Sequence, residues 1–318
     1  MKKIFGLVLV LVMVLGLTTM AWADDMSEAD LEAALDAGGT VTLTGDVKLT
    51  KELVIPDGVT LDGGGFIIAV ADSVVADPTT WQMEDLGSET KHLVELGNNC
   101  TVKNVTFDSN GVVYGVHAYC KTGVKLSDVI IMSSAGAGLA VNGSDVTAEN
   151  LVTSYNALGA VNVDPGYDVT SESKLSISGD NTKLFEFVAI WSDGDNITSD
   201  DNAVDIKISG GVYAGEVFLS DSSNGTITIT GGTFDHDVSE YLADGYEHDA
   251  NGTVSAVTGG NNPTNTPTNT PTYIPIYTPA EATVVSPKTF DAGVAMYISM
   301  SLMAAAGSAV VIGKNREL

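Results

Sequence analysis

The most informative pattern in this chain is a short alternation of apolar and polar residues that ends at glycines and then returns. Residues 206–213 alternate through Ile206 and Ile208 to Gly210, and residues 227–234 repeat the same order one unit later. The offset between Ile208 and Ile229 is 229 − 208 = 21 residues, and 59–66 and 175–179 are an earlier copy and a partial one. Alternation predicts a strand, and the glycines predict a sharp turn. A strand-turn unit repeated every twenty or so residues is typical of a solenoid.

A second set of repeats in the middle of the chain indicates that each unit holds at least two strands. Residues 115–119, 138–142 and 159–163 resemble one another at offsets of 138 − 115 = 23 and 159 − 138 = 21. Between them, Asn104, Asp128 and Asn150 recur at offsets of 24 and 22 (128 − 104, 150 − 128), each before an apolar residue. Asn and Asp tolerate a left-handed bend, so we expect them to stack as a ladder whose role is structural.

On these repeats the chain resembles right-handed parallel β-helix proteins of the pectate-lyase-like superfamily, over roughly residues 28–257. The resemblance implies an all-β domain, which we bound at 24–258, with about ten coils. Ser27, followed by Asp30, resembles a helix N-cap, and Leu31 and Leu35 share one face, so we expect a short capping helix that ends at Gly38. Residues 234–257 resemble a closing segment of clostridial surface proteins. The stretches 72–92 and 184–202 break the period, and we expect both to leave the coil as loops.

Both ends of the chain indicate export. Residues 1–23 combine two lysines, an apolar run and the small-residue pattern Ala21-Trp22-Ala23, which predicts a cleaved secretory signal peptide, with a retained membrane helix as the alternative. Residues 259–285 are rich in proline and threonine and predict an extended, disordered stalk. Residues 294–312 are uncharged and precede Lys314 and Arg316, a pattern that predicts a transmembrane helix with a cytoplasmic tail.

Within 286–318, Pro287 and Thr289 before the apolar run resemble the cell-wall sorting signal of Gram-positive bacteria. That resemblance implies cleavage by sortase after Thr289 and linkage to peptidoglycan. The family usually has glycine where this chain has Phe290. Attachment to the wall and a plain membrane anchor both stay open, and either one displays the domain outside the cell.

The charge of the chain narrows the possible partners. The formal net charge is −27, and residues 24–260 hold lysines but no arginine. Such a surface disfavours nucleic acid and anionic lipid, and it also serves simply to keep an exported protein soluble. Cys100 and Cys120 lie about one coil apart, so either a disulfide or two free thiols fits the spacing.

An enzyme of the resembled superfamily would be a polysaccharide lyase or a glycoside hydrolase acting on acidic glycans. Asp200, Asp201, Asp205 and Lys207 resemble the acidic and basic positions of the polygalacturonase-like hydrolases, but the Gly-His-Gly element of that family is missing. The four histidines, His92, His117, His236 and His248, lack a familiar metal-ligand spacing. The sequence therefore favours a domain without catalysis.

Two kinds of ligand contact are open to such a domain. Asp193, Asp195, Asp200 and Asp201 offer oxygen ligands that suit calcium, although a solvated turn explains them equally. Trp81 and Trp191 offer rings for glycan binding, or they hold their loops against the domain. We expect a surface-displayed module for adhesion or glycan binding, with a divergent enzyme and a purely structural wall protein as alternatives.

Overall fold

The computed structural model describes residues 26–82, 90–165, 172–190, 204–220 and 225–257. The chain divides into two units, Met1–Gly260 and Asn261–Leu318, and every described residue belongs to the first. The described part is predominantly β with parallel sheets and few helices, as the repeats predicted. The predicted signal peptide, stalk, sorting motif and transmembrane helix lie outside the described residues. Among the described residues, no helix is long and apolar enough to cross a membrane.

The helices are few and short. Helix α1 is Glu28–Ala37, helix α2 is Asp72–Ala76, and 3-10 turns lie at Pro78–Thr80 and Ser239–Tyr241. The strands are β1 Thr40–Thr42, β2 Val47–Leu49, β3 Leu53–Ile55, β4 Thr60–Asp62, β5 Ile67–Val70, β6 His92–Leu96, β7 Thr101–Asp108, β8 Tyr114–Tyr119, β9 Val124–Met132, β10 Leu139–Asn142, β11 Asp145–Glu149, β12 Val152–Ser154, β13 Val161–Asp164, β14 Ser173–Ser178, β15 Lys183–Leu184, β16 Val188–Ile190, β17 Val204–Tyr213, β18 Val217–Leu219, β19 Gly225–Phe234, β20 Tyr246–His248 and β21 Thr253–Ala256.

The strands stack in three lines, and we call one pass of the chain through them a coil. The first line runs β1-β4-β7-β9-β11-β14-β17-β19, and the third is a separate seven-stranded sheet, β3-β6-β8-β10-β13-β16-β18. The second line runs through β2, β5, β12 and β15 and through the later halves of the long strands β7, β9, β17 and β19. All these pairs are parallel, so the described fold is solenoid-like and compatible with a β-helix.

The observed registers confirm the predicted repeats. Ile208 pairs with Ile229, and Leu61 pairs with Val102. In the seven-stranded sheet, Leu139 pairs with Val116 on one side and with Val161 on the other. The equivalent apolar residues of each coil therefore lie above one another. Side chains alternate along a strand, so these columns point inward and form one continuous core.

The first coil is closed by the predicted helix. Ser27 accepts a hydrogen bond from the Asp30 backbone N–H, and Gly38 ends the helix at φ 76°. Leu31 and Leu35 are buried in the core, so the apolar stripe of α1 packs on the domain. At the other end β20 and β21 pair antiparallel with each other, and β21 pairs antiparallel with β19.

Two expectations about the coils are wrong. The seven-stranded sheet gives seven complete coils among the described residues rather than about ten. The expected departure at 72–92 is confirmed over residues 72–82: Leu53 pairs with Val94 across 94 − 53 = 41 residues, because α2 and the turn after it lie between them. The stretch from Leu184 does not leave the coil at once, since Val188–Ile190 forms β16 in register with β13.

The two cysteines are free thiols. Cys100 is buried and Cys120 is exposed. Burial raises the pKa of the Cys100 thiol to about 11, which keeps it protonated and unreactive at neutral pH.

Candidate functional site

The predicted catalytic residues that the structure describes form a surface ion pair. Asp205 and Lys207 lie two residues apart on β17, with the Lys207 Nζ 3.3 Å from the Asp205 Oδ2. Thr226, from the next coil, donates its hydroxyl to Asp205 at 2.8 Å. The Lys207 side chain is 65% exposed. Such a solvent-exposed pair contributes little to stability.

The other predicted site residues lie elsewhere. Trp81 is only 5% exposed and belongs to the hydrophobic core, so its ring has no free face for a sugar. The calcium candidates Asp193 and Asp195, together with Trp191, Asp200, Asp201, Pro287 and Thr289, lie outside the described residues.

The predicted ladder is present at the bend between the first two lines. Asn104, Asp128 and Asn150 have φ angles of 53°, 55° and 56°, in the left-handed region. Asn150 donates through Nδ2 to the Asp128 Oδ1 at 2.9 Å, and Asn104 donates to the Asp62 Oδ1 at 3.1 Å. These bonds run from coil to coil, which confirms that the side chains stack.

A shallow groove follows the first part of this ladder. Asp62, Asn104 and Asp128 line it together with Ile130, whose side chain is partly exposed. Lys103 lies 2.9 Å from Asp62. The hydrogen bonds from Lys103 and then Asn104 hold the pKa of Asp62 below its usual value. The groove therefore presents carboxylate and amide groups, and one of these carboxylates, that of Asp62, is paired with Lys103.

Three of the most exposed apolar side chains among the described residues lie where the chain passes from the second line to the third. Tyr155 is 78% exposed, Leu158 is 52% exposed and Phe185 is 55% exposed. Tyr155 and Leu158 come from the turn after β12, and Phe185 follows β15, the strand that pairs with β12. We call these three residues the aromatic corner. Exposed apolar side chains on neighbouring coils make this edge a candidate for an interaction surface.

Hydrogen bonds from buried and partly buried neighbours fasten the turn that carries Tyr155. Glu186 accepts the Thr153 hydroxyl at 3.0 Å and the Asn156 backbone N–H at 3.1 Å. Asn156 is buried, and its Oδ1 accepts the Ser134 backbone N–H at 3.1 Å. Tyr155 has a φ of 61°, a strained conformation for an aromatic residue that persists only where surrounding contacts hold it. The hydrogen bonds of Glu186 and Asn156 fasten this turn to the neighbouring coils.

Sequence reasoning missed a buried polar cluster beside the seven-stranded sheet. His92, Glu95 and His117 each keep less than a tenth of their surface exposed, and one ligand atom from each lies within 4.8 Å of the others. The His117 Nδ1 lies 2.6 Å from the Glu95 Oε2, and its Nε2 lies 2.7 Å from the Asn142 Oδ1. The rings of His92 and His117 stack at 4.0 Å with an angle of 14°.

Coil geometry brings Glu95 and His117 together. Val94, Val116 and Leu139 form one inward column, so their neighbours Glu95 and His117 point to the outer face of the sheet. Glu95 and His117 are 22 residues apart, and His117 and Asn142 are 25 apart. A search for polar residues at the coil period, rather than at short helical spacings, would have found them.

Burial changes the protonation of the cluster. Desolvation, and then the neighbouring His117, lower the pKa of His92 to about 3. His92 is therefore a neutral imidazole at every physiological pH. Its Nδ1 has no hydrogen-bond partner among the described residues and lies 3.9 Å from the Glu52 Oε1. Neutral imidazole nitrogens and carboxylate oxygens are the donor set that transition metals such as zinc prefer.

Comparison with known proteins adds nothing to these sites. No protein-family model matches the chain, and no curated protein or solved structure matches it either.

Proposed function

We propose that this protein is a surface-displayed, non-catalytic module that binds an extracellular glycan or a neighbouring surface through its aromatic corner. The observation that carries the proposal is the exposure of Tyr155, Leu158 and Phe185 on two adjacent coils. Tyrosine combines a broad apolar face with a hydroxyl that can bond sugar hydroxyls. Tyrosine is also among the residues that contribute most to binding at protein surfaces.

The rigidity of the corner supports the same function. Ordering a loop on binding costs free energy, and a corner already fastened by Glu186 and Asn156 avoids much of that cost. Outside the corner, the groove at Asp62 and Asn104 offers further hydrogen-bond partners to an extended chain. By contrast, the described imidazole and carboxylate cluster is buried and offers a substrate no open surface.

The finer architecture and the location belong to this proposal. We propose that the three lines of parallel strands form a right-handed parallel β-helix of the pectate-lyase-like type; the parallel pairing and the right-handed preference of crossovers between parallel strands support this. Residues 1–23 direct export, 259–285 act as a stalk, and 286–318 anchor the chain to the cell wall through sortase or to the membrane. The net charge of −27 disfavours nucleic acid as a partner.

The test is glycan binding by the full-length chain and by corner variants. Tyr155→Asn keeps a residue that tolerates the left-handed conformation, and Phe185→Ser removes the second ring. We expect each change to weaken binding about tenfold, which corresponds to about 1.4 kcal/mol. Val75→Ala, which trims an apolar residue that is 42% exposed on α2, is the matched control and should bind like the unaltered chain.

Two outcomes favour the alternatives. Cleavage of an acidic glycan that is lost in Asp205→Asn would support a divergent lyase or hydrolase that uses Asp205 with Asp200 and Asp201, with or without calcium. Absence of binding to every glycan and to intact cell walls would support a purely structural wall protein. Equal binding by the corner variants and the unaltered chain would indicate that the ligand binds another face of the domain.

A further inference from the structure

We infer that His92, Glu95 and His117 form a binding site for a divalent transition-metal ion of the zinc class. Their ligand atoms lie within 4.8 Å of one another, and all three residues are buried. Two of them, His92 and Glu95, come from β6, and His117 comes from β8 in the next coil. Glu52, which precedes β3 in the preceding coil, is 4% exposed, and its Oε1 lies 3.9 Å from the His92 Nδ1.

The hydrogen bonds around His117 leave a lone pair aimed at Glu95. Asn142 donates through its Nδ2 to Asp164, so its Oδ1 is the atom that faces the His117 Nε2. An amide oxygen only accepts, so the His117 Nε2 carries a proton. In the neutral tautomer with that proton the lone pair is on Nδ1, whose distance to the Glu95 Oε2 is 2.6 Å, and a carboxylate oxygen also only accepts. A cation must neutralise this contact, and either a proton or a metal ion can do so.

His92 distinguishes the metal ion from the proton. A proton on the His117 Nδ1 satisfies Glu95 but leaves the buried His92 Nδ1 without a partner among the described residues. A buried nitrogen in that condition costs free energy. An ion bound between the two rings and Glu95 would also be coordinated by the His92 Nδ1.

The donor set selects the type of ion. Two imidazoles and a carboxylate suit zinc or cobalt, whereas calcium and magnesium prefer oxygen ligands alone. The outer bonds resemble those of established sites, where a ligating histidine donates its second N–H to a neighbouring acceptor. Here that acceptor is Asn142, which Asp164 orients.

Binding requires the ligand side chains to rearrange. Ligands at about 2.0–2.1 Å from a tetrahedral ion lie about 3.3 Å from each other, so the 2.6 Å contact of His117 with Glu95 must widen. The stacked rings must also turn so that both nitrogens face one point. Once bound, the ion joins neighbouring coils, and it should raise the temperature of unfolding because it binds only the folded chain.

The experiment uses the full-length chain, purified without a histidine tag and treated with chelator. Cobalt is titrated in first, because its visible absorption reports coordination by nitrogen and oxygen ligands, and zinc is then added. We expect one cobalt ion per chain, displaced by one equivalent of zinc, and a rise of several degrees in the unfolding midpoint with zinc. Glu95→Gln and His92→Gln should each weaken cobalt binding at least tenfold and remove the rise.

The controls separate a built site from incidental binding. His236→Gln alters a histidine of similar chemistry far along the chain, beside Asp235, and should bind cobalt like the unaltered chain. Circular dichroism checks that each variant is folded. If Glu95→Gln unfolds, His92→Gln still tests the site, because it keeps the bond between His117 and Glu95. The inference is overturned if the unaltered chain shows no saturable cobalt or zinc binding, or if the two ligand variants bind as it does.

Discussion

The sharpest test of the stacked-coil architecture is the replacement of Asn150, the last member of the bend ladder. Asn150 holds a φ of 56°, donates to the Asp128 Oδ1 at 2.9 Å and accepts the Asn181 backbone N–H at 3.3 Å. Alanine in its place loses both bonds and must still adopt the left-handed conformation. That conformation costs about 1 kcal/mol, and each lost bond costs about 0.5–1 kcal/mol. We therefore expect Asn150→Ala to lower the free energy of unfolding by about 2–3 kcal/mol.

Glycine at the same position separates the two contributions. Asn150→Gly loses the same hydrogen bonds but adopts a positive φ freely, so it should be about 1 kcal/mol more stable than Asn150→Ala. Urea unfolding of both variants at 25 °C, followed by circular dichroism, gives the difference if the slopes agree. Asn251→Ala, an exposed asparagine in a surface turn, is the control and should change stability by less than about 0.5 kcal/mol. Equal losses for Ala and Gly, or a negligible loss for Ala, would refute a strained and bonded ladder.

Three further predictions test other parts of the fold. Gly179→Ala should lower the free energy of unfolding in urea more than Gly111→Ala does. A Cβ at Gly179 would lie 2.2 Å from the side-chain oxygen of Asn150, whereas Gly111 has open space at a similar positive φ. Equal losses of stability would contradict the packing of that coil. The hydrogen bonds from Lys103 and Asn104 lower the pKa of Asp62 in the folded chain below its usual value of 3.8. The ionised carboxylate therefore stabilises the fold at pH values above 3.8, and this contribution is lost as the pH falls through the lower pKa of the folded state. Asp62→Asn should therefore flatten the loss of stability between pH 5 and pH 2, and an unchanged profile would rule this contribution out. A thiol reagent should modify the exposed Cys120 quickly and the buried Cys100 only after denaturation, and two unreactive sulfurs before reduction would indicate a disulfide.

The sequence was a good guide wherever one coil repeats the local chemistry of another. Asn104, Asp128 and Asn150 could be aligned because a left-handed bend selects Asn, Asp or Gly at each turn. The capping helix could be predicted because its N-cap and its stop at Gly38 are local signals. Prediction failed where coil length varies, as at β16, because β13 and β16 pair across 188 − 161 = 27 residues rather than the expected twenty or so.

The candidate sites were harder to predict because they depend on which coils become neighbours. Glu95 and His117 are ordinary residues at their own positions and become a cluster only when β6 and β8 stack. Trp81 was singled out for its residue type, but its side chain packs in the core. Tyr155 and Phe185 lie in separate repeats, so no local pattern connects them, and the register of β12 with β15 is what brings their turns to neighbouring coils.

The central claim is binding without catalysis, and one paired measurement tests it most directly. The full-length chain is incubated with uronic-acid and neutral glycans, in calcium and in chelator, and retention and new chain ends are recorded on the same samples. The account predicts that at least one glycan is retained, that retention falls in the Tyr155→Asn variant, and that no new chain ends form. New chain ends that accumulate with time and disappear in Asp205→Asn would contradict it.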